Sequence, residues 1–387
     1  MHRHLGDVAD VLGDDDLLID RARLSRHLLP FATWNGVLCQ APRPRSVLSL
    51  LCASGDVCVL RLRPRGEPLE VLQMLTSPQR NVLAMSQCWS RCGALYAVAR
   101  DRVATVYSVD ATTTTLTPLA EISLRFSAAS VLLYTAEDVS AGLLLVGTSA
   151  GLLLHELSAP SAARGPLLLP DVAVSTLTFA PDASRLVVGT VDGRVFVLTV
   201  DADAWLSGRW DVEFSTVLPS PRVTSVSWSP RHDRVVIATR KGSVHVFSVA
   251  DGQWRADSKF DALANAPTGG SSPSQTLVQW WGPQAPIVAV AGRDDPLLLE
   301  CYDVFSGRRV QSLRLAPKPK RHAGASGSST SAGDSDDRHI NGLCVVCRDT
   351  EEQDEDEEDD DGRLICIDST AVLHVVSWPF LSICCPR

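Results

Sequence analysis

The sequence predicts an all-β repeat protein of seven four-stranded antiparallel sheets. Three observations carry this: a hairpin pattern recurs along the chain, a strand ending in an aromatic residue precedes it at a near-constant distance, and a further apolar segment fills the interval between copies. Repetition every ~40–50 residues marks units that bury their apolar faces on one another.

The hairpin is clearest where residues 185–200 align without a gap on residues 234–249. Each copy is an apolar strand, a short polar turn ending in Gly193 or Gly242, and an alternating strand. The same frame fits 47–62 with Gly55 in the turn and 143–158 with Gly151. It fits 94–109, where Arg102 replaces the glycine, and 363–378, where Ala371 does. Residues 286–304 are a looser copy, with Asp294, Asp295 and Pro296 in the turn. Val, Leu, Ile and Phe dominate both arms, as a pleated sheet favours. Glycine supplies the positive φ of a tight hairpin turn. The first arm is uniformly apolar, as expected of a strand covered on both faces.

Upstream of the hairpin, residues 174–181 match 223–230, with weaker relatives at 83–90 and 277–283. An aromatic, a small residue and often proline end this strand and open a turn. Further strands are expected at 69–75, 116–124, 210–217 and 309–315. Four antiparallel strands per unit are the signature of a β-propeller blade. The expected blade limits are 31–66, 67–112, 113–160, 161–203, 204–250, 251–306 and 307–379.

With these motifs the chain resembles the WD40 family over residues 31–379. It departs from that pattern at the terminal Trp-Asp, which becomes Phe247-Ser248, Tyr107-Ser108, Tyr302-Asp303 and Leu198-Thr199, and no Gly-His pair is present. The Asp-His-Ser/Thr-Trp hydrogen-bond network of typical members is therefore not expected. The resemblance implies a seven-bladed ring closed by an N-terminal strand, drawn from segment 1–30. Residues 16–24 are the candidate; a short amphipathic helix outside the ring is the alternative. The strand fits better, because an unpaired sheet edge invites aggregation.

The net charge of -9 is local, since 351–361 holds ten carboxylates and the remainder sits near +1. No general attraction to nucleic acid or anionic lipid follows. Segments 317–338 and 350–362 are too polar to pack and read as disordered insertions in the last blade, with 380–387 a C-terminal tail. The acidic run has two readings, a solubilising loop or a contact for basic partners. The cysteines fall mostly in apolar runs, the N-terminus lacks an apolar signal core, and no stretch reaches the roughly 20 apolar residues of a membrane span. A soluble cytoplasmic or nuclear protein is expected.

No phosphate-binding loop, dinucleotide fingerprint, nucleophile elbow or zinc-protease helix occurs. His155, His245 and His374 occupy nearly equivalent places in second hairpin arms, which an architectural position explains better than catalysis. Cys344 and Cys347 have zinc-like spacing but lie on a strand, where residues three apart point to opposite faces. No catalytic residue, metal or cofactor is expected. Lys318 to Arg321 is a short basic run, read as solvated or as an import patch. In the WD40 family the hairpin turns help form a peptide-gripping face. Arg100, Arg102, Arg240, Lys241 and Arg293 lie in or beside those turns here, which favours an acidic or phosphorylated segment as ligand. The expected function is a non-catalytic scaffold for other protein subunits. The rival, an enzyme or small-ligand binder using the central channel, finds only Ser and Thr on the innermost strands at 174–179 and 223–228.

Overall fold

All the anticipated hairpins form, each as an antiparallel pair. A computed structural model describes residues 23–28, 37–41, 46–52, 54–61, 70–77, 85–135, 142–158, 165–250, 252–262, 276–281, 287–291, 298–315, 340–346, 363–368 and 372–377.

Among the described residues, strand β1 (Arg23–Leu28) comes first. Then follow six four-stranded antiparallel blades, each contiguous in sequence and ordered from inner to outer strand. Blade one holds β2 (Val37–Gln40), β3 (Val47–Leu51), β4 (Val57–Arg61) and β5 (Glu70–Leu75). Blade two holds β6 (Met85–Trp89), β7 (Leu95–Arg100), β8 (Val103–Val109) and β9 (Leu116–Ser123). Blade three holds β10 (Ala128–Thr135), β11 (Gly142–Thr148), β12 (Gly151–Glu156) and β13 (Leu167–Leu168). Blade four holds β14 (Val174–Phe179), β15 (Arg185–Thr190), β16 (Arg194–Thr199) and β17 (Val212–Val217). Blade five holds β18 (Val223–Trp228), β19 (Arg234–Thr239), β20 (Ser243–Ala250) and β21 (Gln253–Asp261). Blade six holds β22 (Leu277–Trp281), β23 (Ile287–Ala291), β24 (Leu298–Asp303) and β25 (Arg309–Arg314).

Seven contiguous units were expected; six take that form, and the last hairpin belongs to a composite sheet. There β26 (Ile340–Val346) pairs with β27 (Arg363–Asp368), β27 with β28 (Val372–Ser377), and β28 with β1. The pairing of β1 runs from Arg23 opposite Ser377 to Leu28 opposite Val372. The N-terminal strand thus starts later than the 16–24 candidate and shares only Arg23 and Leu24 with it; residues 1–22 lie outside the described residues. The inner strands adjoin in the order β2, β6, β10, β14, β18, β22, β26 and back to β2, so the sheets stand around a common axis.

A second correction concerns the blade limits. The segment at Glu70–Leu75 pairs with β4, so it closes blade one instead of opening blade two. A short connection returns an antiparallel strand to the neighbour it has just left, and each expected limit therefore cut one strand early.

The cores lie between blades. Ala97, Ala99 and Val106 of blade two pack with Val131, Leu144 and Val146 of blade three, while Val187, Val195 and Val197 of blade four pack with Trp228, Val235 and Ile237 of blade five. Strands β3, β7 and β11 are buried along their whole length, which accounts for their uniformly apolar sequence. In blades four and five, Arg185 and Arg234 open the second strands and pair with Glu213 at 2.8 Å and Asp257 at 3.3 Å. Both carboxylates are the extra residues of bulges in the outer strands.

One helical turn was not anticipated. Helix α1 (Ala202–Leu206) is capped by Asp201, whose side chain accepts the Ala204 N–H. It buries Trp205 completely, in a cluster with Leu152, Leu154 and Leu168 of blade three and Leu186, Val188 and Leu198 of blade four. Strand β13 has only two residues, and α1 supplies the apolar cover that so short an outer strand does not.

Candidate protein-binding face

Antiparallel order puts the turns between second and third strands at one end of every blade, together with the connections from each outer strand to the next inner strand. We call this end the upper face. The turns are held by a repeated device. Thr148, Thr190 and Thr239 each end a second strand, and each hydroxyl donates to the first carbonyl of the third strand: Gly151 at 2.9 Å, Arg194 at 2.8 Å and Ser243 at 3.3 Å. These threonines brace three of the turns. The repeat had displayed them all along, as Gly-Thr, Gly-Thr and Ala-Thr. Gly55, Gly193 and Gly242 carry φ of 85°, 86° and 85°. In the turn without glycine the left-handed residue is Asp101, at φ 47°, and Arg102 follows it; Asp is among the few side chains that tolerate this region.

The expected basic residues divide. Arg102, Arg240 and Lys241 are exposed. Arg100 is not: it is buried, and its Nε donates to the Gly55 carbonyl at 2.6 Å. Its charge holds the turn of the neighbouring blade, which removes it from a partner-binding set. Arg293 lies outside the described residues. Three cations that the turn pattern missed share this face, namely Arg125, Arg194 and Arg222, all exposed. The guanidinium of Arg125 sits 5.2 Å from the ring of Phe126. Arg125 and Arg222 lie in connections to inner strands, and the sequence signal for them was their place just before Ala128 and Val223.

The lower face is strapped. Arg91 Nη1 donates to the Asp182 carbonyl at 2.9 Å, joining turns of blades two and four, and Asp182 Oδ2 lies 3.4 Å from His232 Nδ1 in blade five. Partial burial pushes the Asp182 carboxyl up, but the Ser184 N–H and hydroxyl and the His232 ring outweigh it and bring it below its ordinary value.

The hydroxyls of the innermost strands join blades. Ser86 Oγ accepts the Val131 N–H at 3.0 Å, Ser130 Oγ accepts the Leu177 N–H at 3.2 Å, and Ser227 Oγ accepts the Trp280 N–H at 2.8 Å. Ser175 donates to the Val223 carbonyl and Thr224 to the Thr276 carbonyl, each at 2.7 Å. Between blades one and two, Trp89 Nε1 donates to Ser49 Oγ at 2.9 Å. His155 lies on β12 opposite Leu144, His245 on β20 opposite Ile237 and His374 on β28 opposite Cys366. Among the described residues no cluster of three or more His, Cys, Asp or Glu has metal-binding proximity, and no helix is long and apolar enough to cross a membrane. Cys347 lies outside the described residues.

This arrangement is similar to the β-propeller domain of Myceliophteria thermophila Cps50 (Swd1), with a TM-score of 0.61 at 13% identity, covering 92% of this chain and 100% of that one. The chain has a WD40-like β-propeller fold. No protein-family model and no curated protein matches the sequence. The likeness is one of fold, carried by blade geometry where sequence identity is slight. In this propeller Thr148, Thr190 and Thr239 brace three of the hairpin turns, and the upper face carries exposed cations.

Proposed function

We propose that this propeller is a non-catalytic scaffold subunit that holds other proteins on its upper face. The observation that carries the reading is a division of labour among polar residues. Ser86, Ser130, Ser175, Thr224 and Ser227 of the innermost strands are engaged between blades, whereas Arg102, Arg240 and Lys241 project from hairpin turns with their charges exposed. A rigid scaffold with charged turns suits recognition of acidic or phosphorylated segments, since guanidinium and ammonium groups make strong charge-assisted bonds to oxyanions.

In this reading the composite sheet is the seventh blade, and β1 is the strand that locks the ring. Pairing the two ends of the chain in one sheet removes an open edge and makes separation of the termini costly. The acidic run joins β26 to β27, whose linked ends lie on the lower face, opposite Arg102, Arg240 and Lys241. A cytoplasmic or nuclear location goes with this proposal.

The test is tagged purification from native cells, comparing the unaltered chain with an Arg240→Glu, Lys241→Glu variant. Stoichiometric partners retained by the first and lost by the second are expected. Undiminished partners on the variant would discard the basic face, and a monomer carrying a bound metabolite would discard the scaffold.

A further inference from the structure

Val217 is 69% exposed and Val191 43% exposed, large values for valines beside a core. They belong to one strip along the upper edge of blades four and five. Leu218 N–H donates to the Gly193 carbonyl at 2.8 Å, and Val217 lies opposite Arg194 in the sheet. The Gly193 turn packs so closely on the next connection that a Cβ there would stand 2.6 Å from the Ser220 carbonyl oxygen. The Arg240 N–H donates to the Arg222 carbonyl at 2.9 Å, which brings in the turn of blade five. Backbone bonds thus tie the 191–194 turn, the 217–222 connection and the 240–242 turn into one surface.

Its chemistry is mixed. Val191, Val217, Pro219 and Pro221 are exposed apolar groups; Arg194, Arg222, Arg240 and Lys241 are exposed cations. Asp192, paired with Arg194 at 2.9 Å, and Asp171 in the adjoining connection leave the strip net positive. Arg222 adopts φ 60°, a left-handed conformation that is costly for a residue with a side chain. Ser220, buried between the two prolines, has a hydroxyl with no hydrogen-bond partner. An apolar patch rimmed by charge on an ordered backbone is the composition of an interaction site.

We infer that this strip binds an extended partner segment whose apolar side chains cover Val191 and Val217 while flanking oxyanions, carboxylate or phosphate, meet Arg194, Arg222, Arg240 and Lys241. The inference rests on the protein-binding reading and narrows it to two blades and one ligand chemistry.

A random-peptide phage library selected on the full-length chain tests it. Selected peptides are then synthesised, both as found and with phosphoserine at each acidic position, and titrated by fluorescence anisotropy. Apolar residues flanked by Asp or Glu should be enriched. Val217→Asn and Arg222→Glu should each weaken binding about tenfold, more than most interface positions cost when altered. Both positions are exposed, and unchanged circular dichroism shows that the variants fold. Tighter binding of the phosphorylated set assigns phosphate as the preferred oxyanion; tighter binding of the unmodified set assigns carboxylate. Binders that respond to Arg102→Glu but not to Val217→Asn or Arg222→Glu overturn the strip and leave the upper-face reading standing. If no peptide is selected, or binding ignores every upper-face variant, both fall.

Discussion

Gly189 of blade four lies against Val223 of blade five so closely that a Cβ would stand 2.6 Å from the valine Cγ1. One blade earlier, Gly147 meets Val174 in the same way, at 2.5 Å. Both glycines precede a turn-bracing threonine, and Ala238 holds the corresponding place before Thr239. These small residues are required by the approach of the next inner strand, since their backbones lie in ordinary strand conformation.

It follows that Gly189→Leu should destabilise the chain by about 1–3 kcal/mol, the usual penalty for overpacking a filled interior. Urea unfolding is the measurement. An unchanged midpoint would mean that the blades stand further apart than described.

Trp205 is, with Trp281, among the largest fully buried side chains of the described residues and reaches between blades three and four from a helix in blade four. Trp205→Ala should cost about 3–5 kcal/mol, combining lost transfer energy with a cavity. Because its indole N–H has no partner, Trp205→Phe should cost less. Equal losses for Ala and Phe would show that α1 does not seal the gap beside β13.

His245 and His155 titrate below their ordinary range. Burial is the cause for His155; for His245 it is burial, then Lys259, with Asp261 opposing. At mildly acidic pH the unfolded chain binds more protons at these rings than the folded one, so stability rises with pH. Stability should therefore fall as pH drops below the unfolded value of about 6.5 toward the depressed folded values. His245→Phe should flatten that slope in melting temperatures taken between about pH 7 and pH 5. A slope identical to that of the unaltered chain would remove His245 from the account.

Thiol chemistry should divide the cysteines. Burial pushes Cys52 and Cys58 up to about 12, with Cys58 and Asp56 adding to the effect at Cys52, and burial also raises Cys88 well above its ordinary value. Cys92 is exposed; burial works to raise its pKa, but the Ser90 hydroxyl, the Ala94 backbone and the Thr135 hydroxyl bring it lower. Because the thiolate is the nucleophile, iodoacetamide should modify Cys92 well before Cys52, Cys58 or Cys88 in the folded chain. Peptide mapping reads this, and early labelling of Cys58 would contradict the burial of β4.

The hairpins were legible because their causes are local. Alternating apolar residues, a left-handed glycine at Gly55, Gly193 or Gly242, and a short turn act within some sixteen residues of chain. Blade limits were less so: Glu70–Leu75 reads as a strand in isolation, but only hydrogen bonding to Val57–Arg61 shows which sheet it joins. The helix at Ala202–Leu206 is too short to give a periodic signal.

Taken alone, the amino-acid order determined strands, turns and their repetition, for these depend on neighbours along the chain. Which cations reach solvent was decided by folding. Arg100 and Arg102 are two positions apart in one turn, yet the first is drawn onto Gly55, 45 residues away, and the second is left in solvent. Likewise Val191 and Val217 become one apolar ledge with Arg222 and Arg240 only when backbone bonds fasten two blades together. Contacts between sheets depend on distances that no local pattern records.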